Sequence, residues 1–258
     1  MSRLADIARM ACAPVWWLAF IGLFFVLPDT GFAQTVPEKL VYELSWTGIP
    51  VGMATQEITD EGEMRRIVST ARSNDWLSVF FPVNDRIEST LESAGAPFPG
   101  LTRHYRMQMS EGRHSRDREI DFDQAGRKAV YRDHRSGEKK DIPIIPPVFD
   151  IYGSFYYVRF LPLEVGKSFV VTVLDGKDVE QVAVRVLRKE KLKTVLGELD
   201  TIVIRPMVKS QGVFEGKGSV HIWLTDDARR IPVRAQTKVT VGSVTANLVG
   251  GSYGPATR

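Results

Sequence analysis

The residues best suited to chemistry lie together in SVHIWLTDDARRIPVRAQTKV, Ser219 to Val239, where a His, two adjacent acids and two adjacent arginines share one short span. Asp226 and Asp227 could share a proton as an acid–base pair, and Arg229 with Arg230 could clamp an anion. Their spacing argues against both roles. Val220, Ile222 and Leu224 alternate with His221, Trp223 and Thr225, so VHIWLT reads as a strand and VRAQTKVTV as its return. Adjacent residues on extended backbone point to opposite faces, so neither pair converges on one substrate atom. Turn chemistry accounts for DDARRIP better: an Asp accepts hydrogen bonds from its own backbone two residues on, and Pro232 suits the first position of a strand. A hairpin is therefore expected, with Trp223 buried beside its turn.

Other reactive patterns are weaker. His104, His114, His134 and His221 are the four histidines, and none has a second His or a Cys at metal-ligand spacing. YGSFY around Ser154 lacks the second glycine of a nucleophile elbow. EGKGSVH has the glycines and lysine of a phosphate loop but leads into a strand, where a helix N-terminus is needed. No catalytic residue, metal set or cofactor is assigned on these grounds, and the expectation is a protein that is not an enzyme.

The elements that surround these residues begin with a targeting segment. Arg3 and Arg9 precede the 12-residue apolar run WWLAFIGLFFVL, Trp16 to Leu27, followed by PDTG and by small residues Gly31 and Ala33. This is the anatomy of a secretory signal peptide, with cleavage expected after Ala33. At 1.5 Å per residue the run covers about 18 Å, short of a hydrocarbon core of roughly 30 Å. Cys12 precedes the apolar run and would leave with it, so residues 34–258 form a cysteine-free exported domain in the periplasm or outside the cell. Arg3 and Arg9 balance Asp6 and Asp29, and the formal charge of +3 belongs to the exported part. Export disfavours nucleic acid as a partner and leaves anionic lipids or wall polymers for a mildly basic surface.

Period-two alternation dominates from residue 38 onward. Leu40, Tyr42, Leu44 and Trp46 share a face, as do Tyr105, Met107 and Met109 further on, with His104, Arg106 and Gln108 opposite. One dry and one wet face mark an antiparallel sheet. NDWLSVFFPV breaks the pattern and suits a short helical turn. IPIIPPVFD interrupts it with Pro143, Pro146 and Pro147, and a hinge between two lobes is expected at 143–147. The spacing then predicts a helix over Asp150 to Leu161, with Asp150 as N-cap, Ile151, Phe155 and Val158 on one face, and Tyr152 and Tyr156 near a mouth. The fold expected is mainly β: a strongly curved antiparallel sheet or half-open β-barrel, a cup, with one or two short helices.

Several of these stretches together resemble one family. LVYELSWTGIPVGMA, FFPVNDRIES, PPVFDIYGSFYYVR, TVLGELDTIVIRPMV and IWLTDDARRIPVR stand in the order of the exported bacterial proteins called domain of unknown function 3108, over about Leu40 to Val249. The resemblance implies a secreted or periplasmic β-rich domain and brings no established catalytic residues. The hairpin with its Trp-acid-Pro turn is also loosely similar to periplasmic lipoprotein carriers, whose curved sheet holds acyl chains, as an analogy of fold alone.

Aromatics paired with basic strand faces supply the candidate binding residues. Trp46, Trp76, Phe80, Phe155 and Tyr156 are assigned to an apolar ligand cup, with Arg103 and Arg106 as a basic rim for an anionic head. In the plainer account the aromatics are core and the charges protect sheet edges. Two functions follow: an envelope protein that binds a lipid, a glycolipid or another amphipathic ligand, or a structural module that docks an envelope protein through an exposed edge.

Overall fold

Strand alternation becomes a single sheet whose dry face is turned inward. The structure, a computed structural model, describes residues 36–93, 99–207, 220–239 and 241–253. The expected signal peptide and the cut after Ala33 lie outside these residues. No helix among them is long and apolar enough to cross a membrane.

The first half of the chain forms β1 (Glu38–Trp46), β2 (Ile49–Glu61), β3 (Met64–Ser73), the short α1 (Asp75–Ser78), β4 (Asn84–Glu92), β5 (Leu101–Glu111), β6 (His114–Asp123), β7 (Lys128–Asp133) and β8 (Lys139–Pro143). After α2 (Ile151–Arg159) come β9 (Ser168–Asp175), β10 (Asp178–Thr194), β11 (Gly197–Met207), β12 (Val220–Thr225), β13 (Pro232–Lys238) and β14 (Ser243–Ser252). Each half is an antiparallel meander, and pairing of β1 with β14 joins them into one 14-stranded sheet with β8 and β9 at its edges. The sheet is mainly antiparallel, curved and not closed.

At the open seam, the chain after β8 runs beside β9. Phe149 makes a parallel bridge to Val173, its N–H donating to Thr172 at 3.0 Å while Leu174 donates back to Phe149 at 2.8 Å. Residues 143–147 thus stand between the two meanders, which the β1–β14 ladder also holds together. The strand β8 is not announced by alternation, because Pro143, Pro146 and Pro147 interrupt the pattern there. It survives because Pro143 closes an edge strand, where no outward donor is needed, while Ile142 pairs with Ala129.

The alternation itself is borne out in burial. Tyr105, Met107, Met109, Ile120 and Phe122 are buried on one face of β5 and β6, in a core shared with Tyr131, Ile142 and Val148. The opposite face carries a charge ladder. Arg106 bridges Asp117 and Glu119 at 2.6 Å each, Arg132 binds Glu119 at 3.0 Å and also Asp121, and Asp121 Oδ1 accepts from His104 Nδ1 at 2.8 Å.

The helix α2 lies against the dry face of both meanders. Phe149, Val158 and Leu163 pack on Val171, Val184, Ile202 and Leu224, while Tyr156 joins Ile58, Ile67 and Leu91 on the other side. Its start is fixed by Asp150, wholly buried, whose Oδ1 accepts from the Tyr152 N–H at 2.8 Å and the Gly153 N–H at 3.1 Å. Oδ2 accepts from Ser89 at 2.6 Å and Thr102 at 2.8 Å, tying the cap to β4 and β5. Burial drives this carboxyl above the ordinary range, against the pull of those donors. Gly153 is required at the contact, because a Cβ there would stand 2.9 Å from Thr102 Oγ1 and 3.0 Å from Leu91.

Candidate functional site

Between α2 and the sheet lies a cavity of about 330 Å³. From the helix it is lined by Ile151, Tyr152, Phe155 and Val158, the face that helical spacing turns inward. Val171, Val173, Val182, Val184 and Ile204 form one wall, and Tyr42, Ala54, Gln56 and Ile87 stand on the other. Asp178 is exposed and also lines the cavity, so the space reaches solvent at the β9–β10 turn. Burial raises the phenols of Tyr42 and Tyr152, which keeps both neutral.

Of the seven residues assigned to a ligand from the sequence, Phe155 lines this cavity and the other six do not. Tyr156 is buried on the next helical face, donating to Glu38 Oε1 at 2.9 Å, and so stands away from any mouth. Trp46 donates to the Val241 carbonyl at 2.8 Å and Trp76 to the Pro50 carbonyl at 3.2 Å; both rings are partly exposed, and Phe80 is 80 % exposed. Arg103 sits at a bulge between β4 and β5 and pairs with Glu92 at 3.0 Å, and Arg106 belongs to the charge ladder. The basic rim is therefore on the wet face, committed to carboxylates. Period two told which residues share a face, but the curvature of the sheet decides which of them meet.

Gln56, Glu180 and Asp178 also line the cavity and lie outside the seven residues expected from the sequence. A signal existed for Gln56, which continues the inward series Gly52, Ala54 and Ile58 and is polar on a dry face.

The chemistry-rich span 219–239 forms the expected hairpin over its described residues, with Trp223 only 7 % exposed. Asp227 Oδ1 accepts from Thr225 Oγ1 at 2.6 Å and from the N–H groups of Arg229 and Arg230 at 3.1 and 3.2 Å. Asp226 instead binds Lys189 at 2.6 Å and Arg230 at 3.0 Å. Burial would raise the Asp227 carboxyl, but its bonds to Thr225 and Arg229 more than reverse this and hold it below the ordinary carboxylate range. A depressed folded value means that its stabilisation is present above the unfolded pKa and is lost as pH falls through the folded one. Replacing both acids by Asn should cost about 1 kcal/mol per lost charged bond at neutral pH and flatten the acid side of the stability profile. Urea midpoints that keep the wild-type pH slope would contradict this assignment.

One acidic group could suggest a metal: His104, Glu119 and Asp121 offer ligand atoms within 4.8 Å of one another. Arg106 and Arg132 already occupy those carboxylates, and their hydrogen bonds hold both below the ordinary range against the opposing effect of burial. A cation there would have to displace guanidinium groups. The trio reads as part of the ladder.

Among curated proteins nothing matches the sequence. A solved structure described as a beta-barrel-like protein of domain of unknown function DUF1849 from Brucella abortus is similar in fold, with a TM-score of 0.56 at 11% identity, covering 86% of this chain and 99% of that one. The family model described as protein of unknown function (DUF3108) matches residues 41–249, which takes in β1 from Val41 onward, the α2 cap, the buried helix and the DDARRIP hairpin. With the elements that build the cavity falling inside that match, the chain belongs to the DUF3108 family.

Proposed function

We propose that this is a non-catalytic protein of the cell envelope that holds a lipidic or other amphipathic ligand in the cavity between α2 and the sheet. The observation that carries the reading is the cavity itself: about 330 Å³, lined mainly by aliphatic and aromatic side chains and reaching solvent at a polar end. That volume is at the lower end of the roughly 300–1,000 Å³ typical of small-molecule sites, suited to a single chain. The signal-like segment read from the sequence supports an extracytoplasmic setting. Phe155→Asp places an unpaired carboxylate in the cavity, which desolvation strongly disfavours. We expect this variant to lose binding of the neutral fluorescent amphiphile N-phenyl-1-naphthylamine while keeping its β-sheet circular dichroism. Undiminished probe binding, or no binding by the wild type and no lipid in its extract, would overturn the reading.

A docking module remains the second reading, and a specific feature favours it. Ile49 at the start of β2, Trp76 in α1, and Val79 and Phe80 just after it are exposed, with the Asn74 N–H bound to the Val51 carbonyl at 2.8 Å to hold the two segments together. Such an apolar tip suits a protein partner. The partner would engage this tip, since the β9 edge is already taken in part by Phe149.

A further inference from the structure

The charge and hydrogen-bonding groups around the cavity select among amphiphiles. We propose that the ligand is a single-chain amphiphile with a positively charged head, held at Asp178 and Glu180, and with a carbonyl acceptor in its chain that meets Gln56. This rests on the cavity being a binding site and narrows the class of ligand.

Two observations carry it. Asp178 and Glu180 share the inward face of β10 with Val182 and Val184, and both line the cavity. Neither has a hydrogen-bond or ion-pair partner among the described residues. Lys177 pairs with Glu138 at 2.6 Å, and Arg118 lies 3.9 Å from Asp133. Arg234 lies among the lining residues but binds Asn247 Oδ1 at 2.7 Å, with its guanidinium 6.0 Å from the Trp223 ring. At this end of the cavity an anionic head would thus face the carboxylates of Asp178 and Glu180, whereas an ammonium group would find a charge-assisted partner.

Independently, Gln56 is only 8% exposed, lines the same cavity, and its Nε2 has no acceptor in reach. Buried amide donors are rarely left unpaired, because burial strips their water without replacing it. The side chain stands mid-strand on β2, with Leu40 and Ser69 as its cross-strand partners. A carbonyl oxygen carried into the cavity by the ligand would satisfy the donor there, where an alkyl segment cannot.

The test is displacement of N-phenyl-1-naphthylamine from the full exported chain by three matched twelve-carbon ligands: an alkylammonium, an alcohol and a carboxylate. The ammonium ligand should bind best and the carboxylate worst, with about tenfold between them at low salt and less at high salt, as expected for charges near solvent. Asp178→Asn with Glu180→Gln, both at solvent-reaching positions, should erase the advantage of ammonium over alcohol and leave the alcohol unchanged. Equal binding of the three, or a carboxylate preference, overturns the cationic head while the cavity reading stands. If none of the three displaces a bound probe, the cavity reading fails with it. For the carbonyl, Gln56→Leu should weaken an N-acyl ammonium ligand and spare a plain alkylammonium of equal length. Equal weakening of both would reduce Gln56 to packing. Should that variant not fold, the wild type's failure to prefer the N-acyl ligand over the alkyl one would overturn the carbonyl contact by itself.

Discussion

Arg159→Leu is expected to destabilise the protein by about 3–5 kcal/mol, the cost of leaving a buried charge without its partner. Arg159 is 1 % exposed and Glu38 4 %, and their contact is bidentate, Nη1 to Oε1 at 2.7 Å and Nη2 to Oε2 at 2.8 Å. Burial acts to lower the guanidinium pKa, and the paired carboxylate more than reverses it, so the arginine stays charged. The same side chain donates from Nε to the Arg230 carbonyl at 3.0 Å and from Nη2 to the Arg229 carbonyl at 3.1 Å. One residue thereby joins the start of β1, the end of α2 and the turn of the β12–β13 hairpin. Removing it takes two charged donors from Glu38, which keeps the Tyr156 hydroxyl, and one donor from each of the two carbonyls. Adding Glu38→Leu to the first change should recover part of the loss, because a hydrophobic pair needs no desolvation of charge. Urea midpoints of the wild type, both single variants and the double variant decide the matter. A single variant with the wild-type midpoint, or a double variant worse than the sum of the singles, would show that the pair does not act as described.

Trp223→Ala is expected to cost a similar amount, about 3–5 kcal/mol, because it empties a packed aromatic site. The indole belongs to a cluster with Val203, Ile231 and Val233, with Leu187, Leu192 and Leu199 around it. Its Nε1 donates to Glu190 Oε1 at 2.5 Å, and bonds from Arg188 and then from Trp223 hold the Glu190 carboxyl below its ordinary value. Trp223→Phe keeps much of the apolar surface and gives up this bond, so it should fall well short of the alanine loss. Equal destabilisation by both variants would mean that the hydrogen bond dominates. An unchanged alanine midpoint would place the ring outside the core and reopen the span 219–239 as a binding loop.

The sequence by itself determined the strands other than β8, their dry and wet faces, the α2 helix with its Asp150 cap, the DDARRIP hairpin and the family. These are local properties: alternation repeats every two residues, a cap is read across three, and a turn is written by the few residues that form it. Even the inward face of α2, Ile151, Phe155 and Val158, followed from helical spacing. Only the tertiary structure decided what that face meets. Glu38 and Arg159 are 121 positions apart, and nothing in periodicity pairs them. Arg103 and Arg106 share the composition of a ligand rim, yet the pleat puts Arg106 outward, toward Asp117 and Glu119, and a bulge sets Arg103 beside Glu92. Trp46, Trp76 and Phe80 have the chemistry of a lining, yet they stand at the end of β1, in α1 and in the turn after it, exposed and outside the cavity, while Gln56, Asp178 and Glu180 line it. The physical reason is that a strand pattern specifies a face, whereas the curvature and register of fourteen strands specify which faces enclose a common space.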